Sequence, residues 1–131
     1  MTREGDDRLN EISLVMQEKE AMMKVGQQLL ELSKLEKVDE LAFNKKALEF
    51  VKHLSNIGGF CDGNSKRVIH LVVTQLSAVI MDSSGLFAKT YVKFLVPFAI
   101  GIQVDYTKRP FRTFGMDVKA FGAQLKGIAK R

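Results

Sequence analysis

The sequence predicts an all-α protein, a small bundle of four to five helices with at most one short strand near residues 98–106. Three observations lead to this fold class. Apolar residues recur at spacings of three and four along several segments. A glycine pair, an Asp-Gly turn and a proline divide the chain into pieces of helical length. The stretch 68–104 is the most continuously apolar part and should form the buried centre.

The N-terminal 35 residues predict a frayed terminus, Met1–Asp7, followed by a long helix from about Arg8 to Leu35. Its apolar residues come as pairs seven positions apart, a spacing that places them on one helix face. These pairs are the candidate interface of a homo-oligomer: Val15, Met16, Met22, Met23, Leu29 and Leu30. The alternative is a single amphipathic helix packed on its own domain.

A second helix should begin at Asp39, whose short side chain suits an N-cap. Its apolar residues follow a core stripe: Phe43, Ala47, Phe50, Leu54 and Ile57. Gly58-Gly59 should end it, since glycine adopts the left-handed conformation without steric cost. Residues 60–64 then form a tight loop.

A third helix is expected from about residue 66 to the turn at 82–85, with Ser65 or Asn64 as its N-cap. Its polar residues fall on one narrow stripe: Arg67, His70, Thr74 and Ser77. The other faces are apolar, which is typical of a buried helix. Its β-branched residues would also suit a strand, but the regular stripe favours helix.

The next segment is apolar from Leu86, and Pro97 should kink or stop its helix. After Pro97 the pattern alternates with a period of two, which predicts an extended segment or strand over residues 98–106. Lys89 and Lys93 interrupt the apolar run, so a buried core is a better interpretation than a transmembrane hairpin. A last helix is expected from Met116 to about Lys130, with Val118, Phe121, Leu125 and Ile128 on its apolar side.

The composition is ordinary for one globular domain, with 46% hydrophobic and 27% charged residues. We divide the chain into a helical core, 1–104, and a basic C-terminal extension or helix, 105–131. One cysteine excludes an intramolecular disulfide framework. The charged N-terminal residues do not resemble a secretory signal, so the expected location is intracellular, cytoplasmic by default.

The sequence contains no recognisable catalytic or metal-binding pattern. His53, Cys61 and His70 lack the close ligand pairs of zinc sites, and no oxyanion or third group accompanies Cys61 as a nucleophile. Phosphate-binding glycine loops are absent from the sequence. We therefore predict a protein that is not an enzyme and needs no metal or cofactor.

The basic C-terminal end carries the functional prediction. Residues 105–131 hold seven lysines and arginines against two aspartates, so they contain the whole net charge of +5. The candidate nucleic-acid-binding residues are Lys108, Arg109, Arg112, Lys119, Lys126, Lys130 and Arg131. Tyr106, Phe111 and Phe114, interleaved with them, are candidates for stacking on bases or for anchoring.

The sequence thus predicts a helical assembly or adaptor protein that self-associates and binds RNA or DNA non-specifically. Three alternatives stay open. The same basic end could meet an acidic protein partner, it could lie on an anionic membrane, or its last helix could simply be solvated.

Overall fold

The computed structural model describes residues 3–37, 39–81, 86–114 and 118–129. They form helices α1 (Arg3–Ser33), α2 (Glu40–Gly58), α3 (Gly63–Met81), α4 (Leu86–Ile100) and α5 (Val118–Ala129). Two short antiparallel strands, β1 (Val104–Asp105) and β2 (Arg112–Thr113), lie between α4 and α5. The prediction of a small all-α bundle with one short strand region is confirmed.

Helices α1 to α4 form a four-helix bundle. Helix α1 packs against α2 and α4, and α3 packs against the same two helices. Strand β2 and helix α5 both contact α3. The C-terminal residues Phe111 and Phe121 are buried in the same hydrophobic cluster as the side chains of α1 to α4. The basic end is therefore docked on the bundle and contributes to its core.

Helix α1 begins at Arg3, so the expected frayed terminus is wrong for residues 3–7, while Met1 and Thr2 lie outside the described residues. One reason is that the start of α1 is held by the C-terminal hairpin. Arg8 Nη2 donates to the carbonyl oxygen of Tyr106 at 2.8 Å. The expected end near Leu35 is two residues late, because α1 ends at Ser33.

The apolar pairs of α1 divide between two faces. Val15, Met22 and Leu29 are buried in the protein's own core. Their neighbours Met16 and Met23 are 56% and 38% exposed, and Leu30 is half-buried. Consecutive helical residues point about 100° apart, so one member of each pair faces inward and the other turns away. Half of the expected oligomer interface is thus occupied by intramolecular packing.

Helix α2 follows its prediction closely. Asp39 Oδ1 accepts from the backbone N–H groups of Leu41 and Ala42 at 3.1 and 3.4 Å, and the whole expected stripe is buried. Gly59 caps the helix, but with a right-handed φ of −63°, so the expected left-handed cap is wrong. The left-handed glycine is Gly63, with φ of +57°, at the start of α3.

Helix α3 is confirmed as a helix with an exposed stripe of Arg67, His70 and Thr74. It begins before the expected caps Asn64 and Ser65. The hydroxyl of Ser65 is instead buried and accepts from the backbone N–H of Thr113 at 2.8 Å. This bond joins the start of α3 to β2. The predicted turn at 82–85 lies outside the described residues.

Helix α4 continues through Pro97 to Ile100, so it does not stop at the proline, and the predicted extended segment is wrong over residues 98–100. Pro97 cannot bond to the carbonyl of Lys93, but both residues are exposed, and solvent can satisfy that carbonyl. Ala99, which the alternation placed on the polar face, is buried. Within the predicted segment 98–106, Val104 and Asp105 alone form a strand, which pairs with Thr113 and Arg112 of β2.

The segment from Val104 to Thr113 forms a hairpin whose paired strands are β1 and β2. Phe111 is 1% exposed, and its backbone N–H donates to the carbonyl oxygen of Phe60 at 2.9 Å. Phe111 also forms a parallel bridge with Cys61. The last helix is confirmed as α5, whose Phe121 is buried and whose Val118 is half-buried. The side chains of Leu125 and Ile128 lie outside the described part.

Candidate nucleic-acid interface

The predicted cations lie on two elements. Lys108, Arg109 and Arg112 belong to the hairpin, and Lys119 and Lys126 belong to α5. All five are exposed. Lys130 and Arg131 lie outside the described residues. The structure therefore places the described members of the set on the protein surface, on neighbouring segments of the chain.

The two arginines have carboxylate partners. Arg109 Nη2 lies 3.2 Å from Glu11 Oε1, and Arg112 Nε lies 3.6 Å from Asp62 Oδ1. Both pairs are partly solvated, and such surface pairs contribute only about 0–1 kcal/mol. A phosphate could therefore replace Glu11 at Arg109 at little cost, whereas Asp62 Oδ1 is buried and makes no hydrogen bond to the described residues, so separating it from Arg112 costs more. Two of the candidate nucleic-acid-binding residues, Arg109 and Arg112, are therefore paired with carboxylates of the protein itself.

The lysines of this surface are free of such contacts. Among the described residues, Lys108, Lys119 and Lys126 have no carboxylate within ion-pair distance. Lys119 and Lys126 are seven residues apart, which is about 10 Å along the α5 axis. They project from the side of α5 opposite to the buried Phe121. Helix α5 thus presents a lysine row to solvent.

Asp105 shapes the turn of the hairpin and also interacts electrostatically with Lys108. Its Oδ1 accepts from the Thr107 hydroxyl at 2.6 Å and from the Thr107 backbone N–H at 3.0 Å. These two hydrogen bonds lower the pKa of Asp105. The carboxylate therefore stays ionised while it shapes the turn of the hairpin.

The three candidate aromatic residues have different environments. Phe111 is buried, so its ring is not available to stack on a base, and that part of the prediction is corrected. Tyr106 is half-buried and packs edge-on against Phe111, with 5.4 Å between ring centroids. Phe114 is 58% exposed. Phe114 is therefore the aromatic side chain of this set that is best placed to stack.

A second group of basic side chains lines a cleft of about 490 Å³ between α2 and α3. Lys66, Arg67 and His70 line it, together with Ser55, Gly58, Gly59, Gly63, Ile69 and Val73. Arg67 and His70 were predicted only as members of a polar stripe, and the cleft was missed. Both side chains are exposed. The available signal was three basic-type residues within five positions at a helix start.

The chain matches no protein-family model, no curated protein and no solved structure. Its function must therefore be inferred from its own surface and chemistry.

Cys61 and His53, which the sequence offered as catalytic or metal-binding candidates, take part in packing and in contacts between helices. Cys61 is buried, and burial, followed by the charge of Asp62, raises the pKa of its thiol to about 11. The thiol is therefore protonated at neutral pH and a weak nucleophile. His53 Nδ1 lies 2.6 Å from Glu18 Oε2 and links α2 to α1. Within the described residues, no cluster of three or more His, Cys, Asp or Glu side chains could hold a metal, and no helix is long and apolar enough to cross a membrane.

Proposed function

We propose that this protein is a non-enzymatic assembly protein that binds nucleic acid non-specifically through the hairpin and α5, and that self-associates through α1. The observation that carries the binding proposal is a set of exposed lysines, Lys108, Lys119 and Lys126, that have no carboxylate within ion-pair distance among the described residues. Phosphates recur along a nucleic-acid strand, and each cation that meets one releases condensed counterions. A surface with spaced lysines therefore gains affinity from several contacts at once.

Non-specific binding follows from the kind of side chains present. Lysines on α5 and in the hairpin suit phosphate oxygens, and phosphate contacts position a protein without reading sequence. Phe114 adds a ring on which any base can stack, a contact worth about 1–3 kcal/mol. An unpaired base can reach such a ring, so single strands are the preferred ligand of this surface.

Self-association is supported by the outward row of α1. Leu9, Met16 and Met23 are exposed, and half-buried Leu30 continues the row. These four residues are seven positions apart, so they form one apolar line about 30 Å long. Methionine side chains adapt readily to a partner surface, which suits them to a helix–helix contact.

The binding test uses point variants of the full chain, because truncation at residue 104 would remove Phe111 and Phe121 from the core. Affinity for a single-stranded oligonucleotide of roughly 20 nucleotides is measured by fluorescence anisotropy between about 50 and 200 mM salt. Each phosphate contact contributes about −0.7 to the slope of log affinity against log salt for single strands. The variant Lys119→Gln/Lys126→Gln should therefore reduce the slope by about 1.4.

The matched control is Lys45→Gln/Lys52→Gln. These lysines are also exposed and seven residues apart, but on α2. The control should bind as the wild type does. Equal losses in both double variants, or no binding by the wild type at low salt, would contradict the proposal. Binding to anionic vesicles or to polyglutamate without binding to the oligonucleotide would favour the membrane or acidic-protein alternatives and overturn it.

The association test uses light scattering. The wild type should have a mass above the 14.7 kDa of one chain, and Met16→Glu/Met23→Glu should return it to one chain. The control Leu41→Glu/Leu48→Glu changes two exposed leucines seven residues apart on α2 and should leave the mass unchanged. A wild-type mass of one chain at high concentration would remove this part of the proposal.

A further inference from the structure

We propose that the cleft between α2 and α3 is a phosphate-binding site, in which Lys66 and Arg67 bind the anion and His70 donates a hydrogen bond to it. The ligand is a phosphate group, carried either by a small phosphorylated molecule or by a nucleic-acid strand. This site does not depend on the α5 surface, so it stands even if the proposed function fails.

The cleft is lined by basic and uncharged residues. Its nine lining residues include two permanent cations and an imidazole, and none of the nine is acidic. In the described part of the chain, no carboxylate forms an ion pair with Lys66, Arg67 or His70. The nearby carboxylate of Asp62 has its ion pair with Arg112. An anion entering the cleft would therefore meet positive charge that its lining residues do not neutralise.

Lys66 and Arg67 also oppose the local electrostatics of their own helix. The N-terminal end of a helix carries a partial positive charge, so acidic residues stabilise it and basic residues destabilise it. Helix α3 has no acidic residue in its first turn, and Lys66 and Arg67 are among its first five residues. Departures from such local rules are expected at functional sites. Asp62, whose carbonyl oxygen accepts from the Lys66 backbone N–H at 3.3 Å, directly precedes α3 and offsets part of this conflict, and a bound phosphate would offset the rest.

The cleft is narrow where α2 and α3 meet at Gly58 and open at the start of α3. Gly58 allows α2 and α3 to approach closely, because a Cβ there would lie 2.9 Å from Ile69 Cγ2. At the start of α3 the space is open, since a Cβ on Gly63 would meet nothing within 4 Å. The Ser55 hydroxyl adds a donor on the α2 side. The volume of about 490 Å³ is within the usual range for small-ligand sites and exceeds what inorganic phosphate alone requires.

The experiment measures binding of inorganic phosphate and of adenosine monophosphate by chemical-shift titration and thermal melting, with chloride at matched ionic strength as the reference. Both phosphates should shift the amides of residues 55–73 and raise the melting temperature. Lys66→Gln/Arg67→Gln should weaken binding at least about tenfold, because two charge-assisted contacts are lost. Ser55→Trp should block the cleft without removing a charge and also abolish binding.

If Lys66 and Arg67 had a purely structural role, replacing them should lower the melting temperature of the ligand-free protein. If Lys66 and Arg67 are held against the helix dipole for binding, Lys66→Gln/Arg67→Gln should melt about 1–4 °C higher than the wild type without phosphate. The control Lys45→Gln/Lys52→Gln should retain phosphate binding. Lys119→Gln/Lys126→Gln should retain it too, which separates this site from the α5 surface.

The two phosphate sources are separated by the oligonucleotide. Weaker oligonucleotide binding by Lys66→Gln/Arg67→Gln assigns the cleft to a strand phosphate, whereas unchanged oligonucleotide binding assigns it to a small phosphorylated molecule. The proposal is overturned if neither phosphate shifts the amide signals of residues 55–73 when its concentration is about 100 times a millimolar dissociation constant. A site with that dissociation constant would then be saturated. It is also overturned if the Ser55→Trp and Lys66→Gln/Arg67→Gln variants respond to phosphate as the wild type does.

Discussion

Phe111 gives the sharpest test of how the basic end is attached. The ring is 1% exposed, packs edge-on against Tyr106, and belongs to the same hydrophobic cluster as the bundle helices. Truncating a buried phenylalanine to alanine costs about 3–5 kcal/mol, which combines lost apolar burial with the cavity left behind. A domain of this kind has a free energy of unfolding of about 5–15 kcal/mol, so Phe111→Ala should remove a large part of it.

The measurement is urea denaturation followed by far-ultraviolet circular dichroism, since the chain has no tryptophan. With a slope of about 2 kcal/mol per molar urea, the midpoint should fall by about 1.5–2.5 M. Phe114→Ala is the matched control, because that ring is only three residues away but 58% exposed, and it should cost no more than about 0.5 kcal/mol.

The conservative variant Phe111→Leu should lie between the wild type and Phe111→Ala, and it keeps the test useful if the alanine variant is unfolded. Equal, small losses for Phe111→Ala and Phe114→Ala would refute the reasoning, because residues 105–131 would then be an appendage and not part of the core.

Three further predictions concern stability. Gly58→Ala should lower the free energy of unfolding by about 1–3 kcal/mol, because its Cβ would lie 2.9 Å from the branched Ile69 side chain. Gly122→Ala, with open space around it, should raise that free energy by about 0.5–1 kcal/mol, and urea denaturation measures both. Glu18→Ala should cost about 1–2 kcal/mol by removing the bonds to His53 and Asn56, and Glu20→Ala, exposed on the same helix, should be neutral within about 0.5 kcal/mol in the same assay. The Cys61 thiol has a pKa of about 11 in the folded protein, against the ordinary pKa of 9.0 in the unfolded chain. The free energy of unfolding should therefore fall as the pH rises from 9 to 11, and it should fall more steeply in the wild type than in Cys61→Ala. Urea midpoints measured at several pH values check this.

The elements that the sequence predicts well are those whose signals are local. The Asp39 cap and the stripe from Phe43 to Ile57 lie within one helix, and the structure agrees with both. The polar stripe on α3 is local in the same sense and is confirmed. Local propensity and amphipathic period therefore suffice for helix identity in this chain.

The errors come from contacts that are distant in sequence. Phe111 was grouped with basic residues as a surface ring, but its partners include Phe60 and Cys61, about fifty residues earlier. The α1 pairs carry no mark that separates Val15 from Met16, because the choice depends on where α2 and α4 pack. Pro97 is tolerated because of the exposed side on which it lies, which the one-dimensional pattern does not specify.

The candidate site shows the same division. Charge asymmetry located the lysines of α5 and the hairpin, since it needs only a count. It could not show that Glu11 and Asp62 would meet Arg109 and Arg112, or that Lys66, Arg67 and His70 would line a cleft with the far end of α2. Those facts depend on the packing of separate helices.

The bonds from α1 to the hairpin have a consequence for the order in which the protein folds and opens. Arg8 and Glu11 reach partners 98 residues along the chain, at Tyr106 and Arg109. Closing so long a loop is slow, so this corner should be among the last to assemble and the first to fluctuate. Amide hydrogens near both ends of that loop should exchange with solvent together, as a single cooperative unit less protected than the interior of the four-helix bundle.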